Sequence, residues 1–201
     1  MGFGLLLVLL LNFGISWFNA WSVGRSWADS KAIGGWPRFV VWCAAIMSAA
    51  GFTWCYTTVL ALGAGSMGYL TSNYVRATLE IGYIVIIFPI LGSGLGIWID
   101  SLTTAWRRRD VSSLGIAAWN TYAGVHNTYG AISVLPGIFG DLTKTLGRDN
   151  DDDTSSRAIM IVFMLTIIAL CGGVFTTAAI IRSTGREYSR QVLNDLGTRA
   201  R

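Results

Sequence analysis

The chain has 201 residues, of which 53% are hydrophobic and 13% charged, and it carries a formal net charge of +4. Ordinary soluble domains carry about 25% charged residues, so this balance excludes a globular domain with a single anchor and fits an all-α polytopic membrane protein. The positive charge therefore bears on loops and orientation, and no basic stretch interleaved with aromatics supports a nucleic-acid partner.

The first segment runs from about residue 3 to 20. It lacks the basic start and the small-residue cleavage site of a secretory signal, and is read as a membrane helix. Asn12, Ser16 and Asn19 are spaced i, i+4, i+7, which puts them on one face turned toward other helices. Residues 21–38 read as a loop carrying Arg25, Lys31 and Arg38, with Trp21, Trp27 and Trp36 at headgroup level. Gly34-Gly35-Trp36-Pro37 reads as a turn into the next helix.

The second segment spans about 39–62 and is expected to break at Gly63–Gly68. Arg76 and Glu80 then stand i, i+4 and are expected to pair at the mouth of the third segment, about 81–99. Pro89 is a candidate kink, and Gly92, Gly94 and Gly96 give a thin patch for close helix approach. Arg107, Arg108 and Arg109 follow, with the bland reading that they set topology and the sharper one that they meet lipid headgroups or a partner.

The fourth segment, about 112–135, carries a heptapeptide written twice, Trp-Asn-Thr-Tyr-Ala-Gly-Val and His-Asn-Thr-Tyr-Gly-Ala-Ile, from Trp119 to Ile132. Seven residues return a helix to the same face within roughly 20°. Asn120 and Asn127, Thr121 and Thr128, and Tyr122 and Tyr129 thus form stripes on one uncharged helix, expected to end at Pro136-Gly137. His126, the sole histidine, reads as a hydrogen-bonded packing residue. One histidine and isolated thiols build no metal site.

Asp149 to Asp153 superficially suggests a calcium loop, but Thr154 and Met160 occupy the positions that need glycine and glutamate. It reads as a solvated acidic connector. The fifth segment, about 158–181, carries no charge. The tail, 182–201, forms a second region with five arginines on a short amphipathic helix lined by Tyr188, Val192, Leu193 and Leu196; like Arg107–Arg109, its Arg182, Arg186 and Arg190 read as topology determinants or as contacts for anionic lipid headgroups or a partner. Cys43, Cys55 and Cys171 read as buried free thiols.

Charge selects the span number. Hydropathy alone gives four crossings, with the fourth segment re-entrant or lying at the interface. Five crossings place every strongly basic piece on one side and the aspartate-rich connector on the other, with the N-terminus out and the C-terminus cytoplasmic. Polar groups facing hydrocarbon unpaired would each cost several kcal/mol, so the fourth helix needs helices, another subunit or water around it.

No catalytic constellation, intramembrane carboxylate pair or cofactor motif is present, so an enzyme is not expected. The composition implies a lipid bilayer environment and a homo-oligomer or other membrane subunits as partners. The leading expectation is a non-enzymatic subunit of a membrane assembly, packed through small-residue, Asn, Thr and Tyr faces. The alternative is an oligomeric pore for ions or small solutes lined by Asn120 and Asn127.

Overall fold

The computed structural model describes residues 3–146 and 153–199. They form five helices: α1 (Phe3–Ile33), α2 (Gly35–Ser66), α3 (Ser72–Arg108), α4 (Val111–Leu146) and α5 (Asp153–Arg199). Among the described residues there is no strand. α1, α2, α3 and residues 155–192 of α5 are each long and apolar enough to cross a membrane. The protein is a multi-pass membrane helix bundle.

Several expected boundaries shift. Residues 21–33 continue α1 rather than forming a loop. The chain reverses on Gly34 and Gly35, at φ 68° and 55°. A side chain resists that left-handed backbone, and glycine does not. Pro37 sits in the first turn of α2, where its missing N–H removes no helical bond. α2 runs through two of the expected break glycines, Gly63 and Gly65, to Ser66, and its end is fixed by N–H groups of Met67 and Gly68 returning to Gly63 and Gly65.

α2 is the hub. It packs along α1, α3 and α5, while α3 and α5 meet over a smaller contact. Lipid tails are as apolar as leucine, so close approach and interhelical bonds must hold such helices together. The buried face of α2 is accordingly small and hydroxylic, with Ser48, Gly51, Thr53, Thr57 and Ala61 around a fully buried Phe52. Gly51 lies against Ser16 of α1, and Gly173 of α5 against Thr53 and the Ala49 carbonyl. Gly82 of α3 lies against Thr57 and Gly96 against Cys43 and Phe39. Ser48 Oγ donates to the Ser16 carbonyl at 2.8 Å and shares a bond with Thr177 Oγ1 at 3.1 Å, joining α1, α2 and α5.

α4 lies outside this group, along α3. Its contacts run the whole length of its neighbour. Trp98 bonds Thr121 toward one end, Gly130 faces the Tyr83 hydroxyl midway, and Arg76 reaches Asp141 at the other end. α4 is thus one unbroken helix running antiparallel to α3, and it is not among the four helices long and apolar enough to cross a membrane. It does not end at Pro136. Ile138 and Leu142 pack with Ala77, Ile81 and Tyr83 of α3 beyond the proline, as Thr121 does before it. Packing on both sides offsets the roughly 3 kcal/mol that an interior proline costs.

Pro89 also lies within its helix, with Ser93 Oγ donating to its carbonyl. α5 continues past residue 182 without a break. Cys43 and Cys55 are buried free thiols, but Cys171 is exposed on the flank of α5, where an apolar thiol needs no protein cover.

Candidate functional site

The duplicated heptapeptide divides between two faces of α4. Ser113, Ala117, Ala131, Ile138 and Leu142 are buried toward α3. Asn120, Thr121, Ala123, Gly124 and Asn127 are half-buried beside them. Thr121 is placed most firmly: its hydroxyl accepts from Trp98 Nε1 at 2.8 Å and donates to the Ala117 carbonyl at 2.8 Å.

The opposite face is bare. Trp119, Tyr122, Val125, Tyr129 and Ile132 are 59–72% exposed, and His126 and Thr128 are exposed with them. Tyr122 is the centre of a short aromatic run, 5.9 Å from the Trp119 ring and stacked at 5.9 Å on His126. The stripes of the two amides and two tyrosines are therefore separated: the amides flank α3 and the tyrosines point away from the bundle. His126 belongs to the outward aromatic run and not to a packed interior, because it stands where Trp119 stands in the first copy. Asn12 and Ser16 do face another helix, lying against Gly51 of α2, with Ser16 Oγ donating to the Asn12 carbonyl.

At one end of the bundle Arg76 bridges two carboxylates. Its Nε donates to Glu80 at 2.7 Å, the expected i, i+4 pair, and its Nη2 reaches Asp141 of α4. The Glu80 side chain is 10% exposed and that of Arg76 is 64% exposed, so the pair straddles the surface. Trp54, Tyr83, Ser133 and Gly137 complete a cleft of about 430 Å³ beside it. Asp141 was not singled out by the sequence; the signal was its position as the first charge after the uncharged stretch. The aspartate-rich connector at 149–152 lies outside the described residues.

The other end gathers cations and aromatics from distant parts of the chain. Arg38 lies 3.8 Å from the centre of the Trp27 ring and 5.6 Å from that of Trp42. Arg25 lies between Trp21 and Tyr188, at 4.9 and 5.4 Å. Trp36 Nε1 donates to Asp100 at 2.8 Å. Arg107, Arg108 and Arg109 are exposed at the α3–α4 turn, and Arg182, Arg186 and Arg190 are exposed along α5. Below the α5 arginines, α1, α2 and α5 frame a groove of about 850 Å³. The i, i+4, i+8 spacing of those arginines puts them on one face of α5, but the walls that α1 and α2 contribute are set by tertiary packing.

Asp110 caps α4 at the same end. Its carboxylate accepts from the Ser113 backbone N–H at 2.7 Å. That bond, with lesser help from the Ser113 hydroxyl and the Arg108 charge, holds its carboxyl below the usual aspartate range. Among the described residues, no three His, Cys, Asp or Glu side chains gather as a metal site would require.

The chain matches no protein-family model, no curated protein and no solved structure.

Proposed function

We propose that the chain is a non-enzymatic subunit of a larger membrane assembly, and that the outward face of α4 is its docking surface. One observation carries this reading. α4 packs along α3 and, among the described residues, makes no comparable contact with another helix, yet it lies at the depth of the apolar spans with Trp119, Tyr122, His126, Thr128 and Tyr129 uncovered. In hydrocarbon an unpaired polar group costs several kcal/mol, and aromatic residues with polar tips are the side chains that interfaces favour. A second copy or another subunit laid on this face supplies the missing partners.

The arrangement of charge supports five crossings with the C-terminus cytoplasmic. Residues 25–38, 107–109 and 182–190 collect at one end of the bundle, and Asp141, near the end of α4, lies at the other. The basic end is the cytoplasmic one under the positive-inside bias.

Replacing Trp119, Tyr122 and Tyr129 together by leucine tests the docking surface. The variant is expected to extract in mild detergent as a smaller particle than the native protein, with unchanged helical content. A native particle that is monomeric, or one whose mass the triple variant does not alter, overturns the proposal. Conductance in liposomes that is lost on Asn120→Leu and Asn127→Leu, with assembly intact, would favour a pore instead.

A further inference from the structure

The groove framed by α1, α2 and α5 is graded along its length. Its deep part is lined by Ala45, Ile46, Ala49, Val174, Ala178 and Ile181. Its upper part is lined by Arg182, Arg186 and Arg190, with Trp27, Trp42 and Tyr188. From Val174 to Arg190 it runs roughly 24 Å along the α5 axis at 1.5 Å per residue. Among the described residues no acidic side chain lines it. Its volume of about 850 Å³ lies within the range of about 300–1,000 Å³ typical of small-molecule sites.

The groove exists because three contacts hold its walls. Gly173 seats α5 on α2 at Thr53, so the two helices touch below it. Gly24 and Gly185 bring α1 and α5 together on one side, where a β-carbon on Gly24 would lie 2.7 Å from the Thr184 β-carbon. Trp27 and Trp42, 5.1 Å apart and edge to face, pin α1 to α2 under Arg38. Along α5 the arginines follow directly on the apolar lining residues Val174, Ala178 and Ile181, so they stand at one end of an apolar slot.

We propose that this groove is a binding site for one anionic phospholipid from the leaflet at the basic end. An acyl chain fills the slot beside Ala45, Ala49 and Ala178, and the phosphate lies among Arg182, Arg186 and Arg190. The order of chemistry along the groove, apolar below and cationic above with indoles and a phenol between, is that of a phospholipid at a membrane interface. A peptide helix from a partner would not call for this gradient. Arginine suits the phosphate because its guanidinium offers paired donors.

The test is retention of lipid by the full chain, purified in mild detergent and given equal amounts of phosphatidylglycerol and phosphatidylcholine with the same acyl chains. Native mass spectrometry reads the bound ratio. Phosphatidylglycerol is expected to be retained in preference, and each arginine near a membrane surface favours an anion by about fivefold. Replacing Arg182, Arg186 and Arg190 by glutamine is expected to remove the preference, whereas glutamine at Arg107, Arg108 and Arg109 leaves it. Ala28→Trp with Ala178→Phe, at exposed positions on the lining, fills the slot without altering charge and is expected to abolish retention.

Equal retention of the two lipids by the native chain overturns the proposal. So does a preference that survives the glutamine substitutions on α5 or the filled slot, or one that falls equally with Arg107–Arg109. The Trp119, Tyr122 and Tyr129 leucine variant should keep the lipid preference, so failure at one surface does not imply failure at the other.

Discussion

Trp98 Nε1 donates to Thr121 Oγ1 at 2.8 Å, and the same hydroxyl donates onward to the Ala117 carbonyl. This joint ties α4 to α3, the helix along which α4 is packed. An interhelical bond in a membrane contributes about 0.6 kcal/mol on average, but an indole N–H left half-buried without an acceptor costs about 1–3 kcal/mol. Thr121→Val is therefore expected to destabilise the protein by about 1 kcal/mol or more, and Thr121→Ser by much less. In the background of Trp98→Phe the valine substitution should cost less than it does alone. Reversible unfolding in mixed micelles across this double-mutant cycle measures the coupling, and additive effects would show that the bond contributes nothing.

The glycines separate into two classes that unfolding experiments should distinguish. A β-carbon at Gly173 would meet Thr53 and stand 2.7 Å from the Ala49 carbonyl and 2.8 Å from the Thr53 nitrogen. Backbone cannot yield as a flexible side-chain tip does, so Gly173→Ala should cost about 1–3 kcal/mol through overpacking. Gly92 and Gly94 have nothing within 4 Å of such an atom. Alanine at either is expected to be neutral or to stabilise by up to about 1 kcal/mol, the propensity difference in a helix interior. A loss of stability at Gly92 equal to that at Gly173 would place an undetected surface against α3.

The contrast between these positions shows what the sequence could and could not convey. Helical membrane architecture is legible because apolar length and low charge are local properties, and the Arg76–Glu80 pair is legible because i, i+4 geometry is fixed within one helix. Gly92, Gly94 and Gly96 look alike in sequence, yet only Gly96 meets another helix, at Cys43 and Phe39, since rotation about the helix axis is set by the partner. Gly24 and Gly82 carry contacts that no cluster of small residues announces. The duplicated heptapeptide conveyed a stripe of amides and a stripe of phenols. Which stripe turns toward α3 was decided by Trp98, Ala77 and Tyr83, more than twenty residues away in the chain.

Thr57 offers a test in the opposite direction. It is fully buried, and its Oγ1 is without a hydrogen-bond partner among the described residues. Thr53 and Thr58 on the same helix donate to carbonyls four residues back, at 2.8 and 2.9 Å. The Thr57 side chain is instead held against Gly82 of α3. Valine keeps the branched shape and removes the unsatisfied hydroxyl, whose burial costs about 1–3 kcal/mol. Thr57→Val is expected to be neutral or to raise stability by about 1 kcal/mol, read as a shift of the unfolding midpoint. A clear loss would mean that the hydroxyl is bonded in the membrane.

The start of α4 should respond to acid. Asp110 receives the Ser113 N–H at 2.7 Å, and its carboxyl is held below the ordinary aspartate range. A carboxyl whose folded value lies below its unfolded value contributes stability above the unfolded value, and that contribution fades as pH falls through the folded one. The cap is therefore intact at neutral pH, begins to weaken as pH falls to about 3.9, the unperturbed aspartate value, and is lost as pH falls further through the lower folded value. Asn caps helices about as well as Asp and does not titrate. Asp110→Asn is expected to remain close to the native protein at pH 7 and to lose the acid-dependent loosening of residues 111–117. Asp110→Ala should loosen that turn at every pH. Amide hydrogen exchange of the first turns of α4, followed from pH 7 downward and corrected for the intrinsic pH dependence of exchange, measures the difference; identical pH profiles for the native protein and the asparagine variant would show that the carboxylate does not hold this end of the helix.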